Sequence, residues 1–233
     1  MKQMIDGVIF DKDGTLFDFR KSWGSWARSL LAEIASGPDQ LQAMGQAIGY
    51  DPDTGNFSEE SPVIAGTPED IAIHLLPLLP GDSSTSLIAR MNALSAQAEM
   101  VPAAPLAEVL GALKDRGLRL GLATNDGEAP AHAHIARAGV GPLFDYVAGF
   151  DSGHGGKPDP GMLLAFAKRF SMDPARIIMV GDSLHDLEAG RAAGMRTVAV
   201  LTGIAGEGTL TGHADVVLPD IGHLPGWIDG LAA

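Results

Sequence analysis

The hydrophobic pattern of this chain changes twice along its length. Residues 8–10 form a short apolar run, whereas from about residue 19 to residue 100 apolar positions recur at helical spacing without a convincing strand. From residue 106 onward, short apolar runs alternate with helical segments. Strands this apolar, separated by helices, are typical of a parallel sheet that is covered on both faces. The pattern therefore predicts a doubly wound α/β fold with an all-helical insertion.

The predicted elements follow from periodicity and from turn residues. The predicted strands cover residues 8–10, 118–123, 146–150, 177–180, 197–201 and 216–218. The predicted helices cover residues 21–35, 39–48, 68–79, 84–100, 106–116, a segment ending at 139, 160–170, 184–193 and the C-terminal segment. Residues 50–66 are rich in Gly, Pro, Asp and Ser and are predicted to be a loop, and residues 101–105 a linker.

The same pattern predicts the domain organisation. Residues 1–18 and 101–233 are expected to form a Rossmann-like core, and residues 19–100 a small helical domain inserted into it. Ligands of doubly wound sheets bind beyond the carboxyl ends of the strands. Asp11, Thr124 and Asp182 each lie at the end of a predicted strand. One site can therefore collect all three side chains.

Composition excludes several classes of function. The chain has 233 residues, 45% of them hydrophobic, which is enough for a substantial core. Its formal net charge of -13 argues against nucleic acid or an anionic membrane as partner, because both would repel it. The absence of cysteine excludes disulfides, thiolate metal sites and a cysteine nucleophile.

Targeting signals are not expected from the sequence. The first apolar stretch is interrupted by Asp6 and Gly7, and no apolar run approaches the length of a membrane span. We therefore expect a cytoplasmic protein without a signal peptide, either a monomer or a homodimer, whose partner is a small molecule.

Two acids stand close together after the first strand. Asp11 and Asp13 are followed by Gly14, and taken alone this pattern is as compatible with an ordinary turn as with a site. Repulsion between the carboxylates is relieved by solvent, by a cation or by protonation of one acid. In phosphoryl transfer from a monoester, Asp11 could be the nucleophile, forming an aspartyl-phosphate, and Asp13 the general acid and base. Mg²⁺ is the most plausible cation, bridging Asp11 and the substrate phosphate.

Other segments offer the remaining parts of such a site. Asp182 and Asp186 are four residues apart and could place oxygen ligands on one side of a first helical turn, although Ser183 and Asp186 also fit a capping box. Lys157 lies in a glycine-rich loop and could keep Asp11 ionised, unless it is simply a solvated lysine.

A phosphate oxygen also needs hydrogen-bond donors. Thr124 could supply its hydroxyl, with the amide of Asn125 beside it. By itself, Thr124 would be an ordinary residue at a strand end.

Four segments together resemble the four motifs of the haloacid-dehalogenase-like hydrolase superfamily, in the same order along the chain. These segments are Asp11-x-Asp13-Gly14-Thr15, Thr124-Asn125, Lys157-Pro158 and Gly181-Asp182-Ser183-x-x-Asp186. The resemblance covers the whole chain and is greatest to phosphoglycolate phosphatase-like members, which carry a helical cap where residues 19–100 fall here. It implies a Mg²⁺-dependent phosphatase acting on a small phosphorylated metabolite, such as a phosphoglycolate-like compound or a sugar phosphate.

The resemblance also implies roles by position. Asp11 would be nucleophile and metal ligand, Asp13 acid/base and a metal ligand through its carbonyl. The substrate phosphate would be bound by Thr124, Asn125 and Lys157, and Lys157 would also be catalytic. The metal would be bound by Asp182 and supported by Asp186. Lys12 departs from the family pattern, in which an apolar residue is more usual. Dehalogenases of the superfamily lack an acid at the position of Asp13, so its presence favours phosphate chemistry.

Alternative functions stay open from the sequence. A phosphomutase would pass the aspartyl-phosphate to a sugar instead of water, and an idle scaffold would bind without catalysis. The tetrapeptide that begins at Gly181 also matches GDSL esterases, with Ser183 as nucleophile, but the match ends there.

Some conspicuous side chains receive simpler interpretations. Trp23 and Trp26 are expected inside the cap, and His132 and His134 on the surface. One further hypothesis is that Arg20 or Lys21, which follow the first motif, meets an anionic leaving group.

Overall fold

The computed structural model describes residues 5–58 and 60–231. The domain limits predicted at residues 1 and 233 lie outside the described residues. The same is true of residues 1–4, where no signal peptide is expected. Six strands form one parallel sheet, in the order β3-β2-β1-β4-β5-β6. The strands are β1 (Gly7–Phe10), β2 (Arg119–Ala123), β3 (Tyr146–Ala148), β4 (Ile177–Gly181), β5 (Arg196–Val200) and β6 (Val216–Leu218). The predicted α/β class is confirmed.

Helices cover both faces of this sheet. The helices of the sheet region are α6 (Leu106–Asp115), α7 (Glu128–Arg137), α8 (Gly161–Arg169), α9 (Leu184–Ala192), α10 (Glu207–Leu210) and α11 (Leu224–Leu231). Short 3₁₀ turns lie at Gly141–Leu143, Pro174–Arg176 and Ile221–His223. In β1, Val8 and Phe10 pack into the core with α6, α7 and α11, whereas Ile9 packs with α8 and α9. Successive strand residues point to opposite faces, which is why every position of β1 is buried.

Between β1 and α6 the described chain is helical. The elements are α1 (Phe19–Ile34), α2 (Pro38–Ala47), α3 (Pro62–Ala65), α4 (Pro68–Leu75), a 3₁₀ turn (Leu76–Leu78) and α5 (Ser84–Gln97). Their buried side chains form an apolar cluster of their own, which includes Trp23, Trp26, Leu30 and Met91. We call residues 19–97 the helical region.

Capping residues account for two helix starts in this region. Thr67 and Asp70 form the capping box that begins α4, as the sequence at Thr67 and Pro68 indicates. The start of α3 lies inside the predicted loop, and there the prediction was wrong. Ser61 accepts a hydrogen bond from the Val63 amide and Pro62 occupies the first turn, so even this short segment is helical.

Two connections join the helical region to the sheet, and they run side by side. The Asp18 amide donates to the Val101 carbonyl at 2.8 Å, and the Ala103 amide donates to the Leu16 carbonyl at 2.9 Å. The helical region is therefore held at the carboxyl end of β1, above the strand ends.

Membrane insertion finds no support in the described helices. The longest, α1, has 16 residues, and no described helix combines the length and apolar character that a bilayer span requires.

Candidate active site

Asp11 is the first residue after the central strand β1. Its amide donates to the Val180 carbonyl at 2.8 Å, which extends the pairing with β4 by one residue. The chain then turns sharply, and Gly14 adopts a φ of 82°, a left-handed conformation that glycine tolerates without steric cost. Asp11 is only 7% exposed, at the bottom of a cavity beneath the helical region.

Lys157 reaches Asp11 from the loop between β3 and α8. Its Nζ donates to the Asp11 carboxylate, to the Ala123 carbonyl at 2.8 Å and to the Asp186 carboxylate at 2.7 Å. Burial acts to lower the pKa of Lys157, but the carboxylates of Asp11 and Asp186 outweigh it and the pKa is raised. The lysine therefore stays charged, and the alternative of a solvated loop residue does not hold.

Asn125 fixes the backbone on which Lys157 stands. The Lys157 amide donates to Asn125 Oδ1 at 2.7 Å, and Asn125 Nδ2 donates to the Lys157 carbonyl at 2.8 Å. The same Nδ2 donates to the Ala65 carbonyl at 2.8 Å. The Asn125 side chain thus joins the end of β2, the lysine loop and the helical region.

Thr124 is buried at the end of β2 and lines the same cavity. Its hydroxyl oxygen accepts a hydrogen bond from the Asp126 amide at 3.0 Å, which orients the side chain in the turn. The hydroxyl proton is available to a ligand oxygen, as predicted from the sequence.

Asp182 and Asp186 complete the acidic floor of the cavity. Oxygen atoms of Asp11, Asp182 and Asp186 lie within 4.8 Å of one another, and all three residues are buried. Asp186 also forms the capping box of α9, accepting from the Ser183 hydroxyl at 2.7 Å and from the Ser183 amide at 3.1 Å. Capping and a place in the site are therefore compatible for Asp186.

The charges at this floor are unbalanced. Burial raises the pKa of Asp11 to about 7, with Asp186 and Asp13 contributing repulsion and Lys157 opposing the shift. Burial and the neighbouring carboxylates also raise the pKa of Asp182 well above its usual range. Three buried acids thus share a single ammonium, and a divalent cation would restore neutrality. Carboxylate oxygens are the donors that Mg²⁺ prefers, so the residues present fit such an ion.

Gly203, in the loop after β5, lies against the Asp182 carboxylate, so a substitution there can test the role of this carboxylate. A Cβ atom at position 203 would overlap the carboxylate oxygen of Asp182. We expect Gly203→Ala to displace this carboxylate and to weaken Mg²⁺ binding by about tenfold or more. The measurement is calorimetric titration of the protein with Mg²⁺.

The matched control for this variant is Gly206→Ala in the same loop. Apart from the glycine and its two chain neighbours, no described atom lies within 4 Å of the Cβ position at residue 206, so this variant should bind Mg²⁺ as the parent does. Equal Mg²⁺ affinity of the Gly203 variant and the parent would exclude Asp182 as a ligand.

Asp13 points to a second polar cluster, built around Lys12. The Lys12 side chain is fully buried, and its Nζ lies 2.8 Å from Asp13 Oδ2 and 3.0 Å from Asp126 Oδ2. Trp23 Nε1 donates to Asp13 Oδ1 at 2.8 Å, which ties the carboxylate to α1 of the helical region. Burial acts to lower the pKa of Lys12, yet the two carboxylates raise it. Lys12 thus holds Asp13 in place as a charged partner.

His134 belongs to the same cluster, and its predicted surface position was wrong. The ring is 1% exposed; Nδ1 lies 3.1 Å from Lys12 Nζ and Nε2 lies 2.6 Å from the Ser95 carbonyl. Because the ammonium can only donate, Nδ1 accepts and Nε2 carries the proton. His132, in contrast, is exposed as expected.

Sequence reasoning missed the Lys12 cluster, although a signal was present. Lys12 follows the fully buried strand β1 by only two residues, so its side chain begins inside the molecule and stays buried there. A lysine there requires buried acids, and Asp126 in the turn after β2 was the available candidate.

His134 should make the folded protein sensitive to acid. Burial, followed by the Lys12 charge, lowers the pKa of His134 to about 4, below its ordinary value of 6.5. The unfolded chain therefore binds the proton first, and stability falls as the pH drops from about 6.5 to about 4. The loss should reach about 3 kcal/mol, since each pKa unit corresponds to about 1.4 kcal/mol.

The measurement is urea unfolding of the parent and of His134→Gln across this pH range. The variant lacks the titrating ring, so the difference in free energy of unfolding between the two proteins should change by that amount. A constant difference would show that the ring is not buried in its neutral form. His132→Gln, at the exposed ring on the same helix, is the control.

The cavity above Asp11 lies between the strand ends and the helical region. Trp23, Trp26, Ile71 and Met91 line its upper side, so both tryptophans contact the cavity as well as the apolar cluster of the helical region. Arg20 and Lys21 are exposed, Lys21 pairs with Asp18, and neither lines the cavity. The hypothesis that they meet the leaving group is therefore wrong.

Comparison with known proteins adds independent observations. Residues 5–194 match the family model described as haloacid dehalogenase-like hydrolase. The chain is 29% identical over 219 residues to a phosphoglycolate phosphatase of Nitrosospira multiformis, covering 93% of this chain and 92% of that protein. It is 30% identical to "Probable phosphatase IndB" of Dickeya dadantii, covering 84% and 81% of the two chains.

A solved structure shows the same fold at lower identity. The crystal structure of CbbY from Rhodobacter sphaeroides in complex with phosphate superposes with a TM-score of 0.69 at 23% identity. The alignment covers 95% of this chain and 96% of that one.

Proposed function

This chain belongs to the haloacid dehalogenase-like hydrolase family and is a phosphoric monoester hydrolase, and we propose that it acts through an aspartyl-phosphate on Asp11 with Mg²⁺ as cofactor. Its substrate would be a small phosphate monoester. The observation that carries this proposal is the Asp11 carboxylate, buried at a cavity floor against Lys157 and beside Asp182 and Asp186.

In the proposed first step, an Asp11 oxygen attacks phosphorus and the bond to the leaving oxygen breaks. Asp13, which lines the same cavity, enters this step as the carboxylic acid and donates its proton to the departing alkoxide. Lys157 stays charged and stabilises the negative charge that moves onto the phosphoryl oxygens, with Thr124 donating its hydroxyl. Asp11, Asp182 and the Asp13 carbonyl would hold Mg²⁺, with Asp186 in support. When bound, the ion neutralises phosphoryl charge.

In the second step, Asp13 takes a proton from water, which attacks the phosphorus of the aspartyl-phosphate and releases inorganic phosphate. Asp11 leaves as a carboxylate and is ready for another turnover. Lys12 and Trp23 keep the Asp13 carboxylate at the cavity in both steps.

The helical region would act as a cap in this reaction. We propose residues 19–100 as a cap domain and residues 1–18 and 101–233 as the catalytic core. The paired connections at Asp18 and Val101 would serve as its hinge, and Trp23 and Trp26 would exclude water during the first transfer.

The test is Mg²⁺-dependent release of inorganic phosphate. Protein stripped with a chelator should hydrolyse p-nitrophenyl phosphate at least about a hundredfold more slowly, because the acidic floor loses its counter-charge. Adding Mg²⁺ should restore the rate.

The same assay separates the alternatives. Phosphate release without a sugar acceptor excludes a phosphomutase that transfers only to sugars, and metal dependence excludes a serine esterase at Ser183. Activity that survives chelation unchanged would contradict the proposed mechanism.

A further inference from the structure

The cavity above Asp11 is apolar on the side where the leaving group must lie. Its enclosed volume is about 50 Å³, which is room for only a few water-sized groups. Trp23, Trp26, Val63, Ile71 and Met91 form its upper wall, and all five are buried in the apolar cluster of the helical region. A leaving alcohol that extends from the phosphate therefore meets hydrocarbon and ring surfaces first.

Positive charge is missing from this wall. Among the described residues that line the cavity, Lys157 is the one permanently charged cation, and it is paired with Asp11 and Asp186. The helical region carries other basic side chains, but none of those described lines the cavity. They are the exposed Arg20, Lys21 paired with Asp18, Arg28 bonded to the Pro52 carbonyl, exposed His74 and Arg90 paired with Asp82.

Two further basic side chains, Lys12 and His185, lie near the cavity but are not part of its apolar upper wall. Lys12 is absent from the lining, because the carboxylates of Asp13 and Asp126 enclose its ammonium. His185 lines the mouth and is exposed to solvent.

Besides the three acids of the floor, two acidic residues also line the cavity, and both are ion-paired with Lys12. Asp13 and Asp126 both contribute to the lining. An anionic leaving group would lose its hydration and gain no cation, because the Lys12 ammonium is already shared by Asp13 and Asp126, and this loss is unfavourable.

Asn92 supplies a neutral polar group in this setting. It lines the cavity, and its Oδ1 is buried without a hydrogen-bond partner in the described part of the chain. A hydroxyl group can both donate and accept, so it can pair with the amide in either orientation. Ser95, the neighbouring polar lining residue, already donates its hydroxyl to Asp126 at 2.9 Å.

We propose that the substrate is the phosphate monoester of an uncharged, small alcohol that carries a second hydroxyl group, which Asn92 binds. This inference rests on the proposed phosphatase function and narrows its substrate class. Phosphorylated hydroxy acids, whose leaving group carries a carboxylate, would be poor substrates even though a relative is named a phosphoglycolate phosphatase.

The experiment compares two esters of nearly equal size, 2-hydroxyethyl phosphate and 2-phosphoglycolate, with p-nitrophenyl phosphate as a reference and Mg²⁺ present. We expect kcat/KM to be at least about tenfold higher for the hydroxyethyl ester, as placing a carboxylate in this cavity is unfavourable. Equal values, or a preference for phosphoglycolate, would overturn the inference. If none of the three esters released phosphate, the proposed function itself would fail.

A variant that adds a cation should reverse the preference. Asn92→Lys places an ammonium at the wall and removes the amide, so the ratio of kcat/KM for phosphoglycolate over the hydroxyethyl ester should rise at least about tenfold. Ile73→Lys is the matched control, because Ile73 is 66% exposed and lies outside the cavity lining. If the Asn92 variant still hydrolysed p-nitrophenyl phosphate but kept the parent's ratio of kcat/KM for the two esters, Asn92 would not lie beside the leaving group, and the inference would be contradicted.

Discussion

Asp11→Asn should reduce the kcat for hydrolysis of p-nitrophenyl phosphate by at least about four orders of magnitude and leave the fold intact, since it removes the proposed nucleophile. The amide has nearly the size of the carboxylate and still accepts a hydrogen bond from Lys157. It also removes one of three buried acids that repel each other. The melting temperature without metal should therefore stay the same or rise.

The readouts for this variant are single-turnover phosphate release and thermal unfolding. Mass spectrometry of the intact protein checks for deamidation, which would regenerate the parent. Asp115→Asn, at the exposed end of α6, is the control and should keep full activity. A residual rate above about a hundredth of the parent's would show that Asp11 is not the nucleophile.

Lys157→Met should have the second largest effect, on both stability and turnover. Lys157 is 5% exposed and neutralises Asp11 and Asp186, so its loss leaves buried carboxylates without their ammonium. Removing one partner of a buried ion pair costs about 3–5 kcal/mol of unfolding free energy. Turnover should fall at least about a thousandfold, because phosphoryl charge loses its fixed cation.

The stability effect of this variant should depend on pH. The pKa of Asp11 is already raised to about 7, mainly by burial, and removing the ammonium raises it further. Below its pKa the Asp11 carboxyl group is neutral and does not need the ammonium of Lys157. Above its pKa the Asp11 carboxylate of the variant is buried without a counter-charge. Metal-free Lys157→Met should therefore be destabilised more at about pH 8 than at about pH 6.

Urea unfolding at both pH values measures this difference, with Lys168→Met as the control. Lys168 is an exposed lysine on α8, so its variant should be as stable as the parent at both values. A Lys157 variant as stable as the parent at about pH 8 would contradict the buried ion pair.

Much of the fold follows from local pattern, and so does the clustering of Asp11, Thr124 and Asp182. Each follows a short apolar strand, and parallel strands end at one edge of the sheet. The boundaries were less predictable. The helix at Pro62–Ala65 lies in a segment of loop composition, because its cap and proline act over only a few residues.

The sequence by itself determined the α/β fold class and the acids that converge at the strand ends, since side-chain periodicity and turn residues are properties of adjacent positions. Only the tertiary structure decided which partners meet across long separations. It placed Lys157 against Asp11, His134 against Lys12, and an apolar wall without cations over the cavity. Such pairings depend on how whole helices and loops pack, and a buried lysine or a neutral histidine is recognisable only once its surroundings are known.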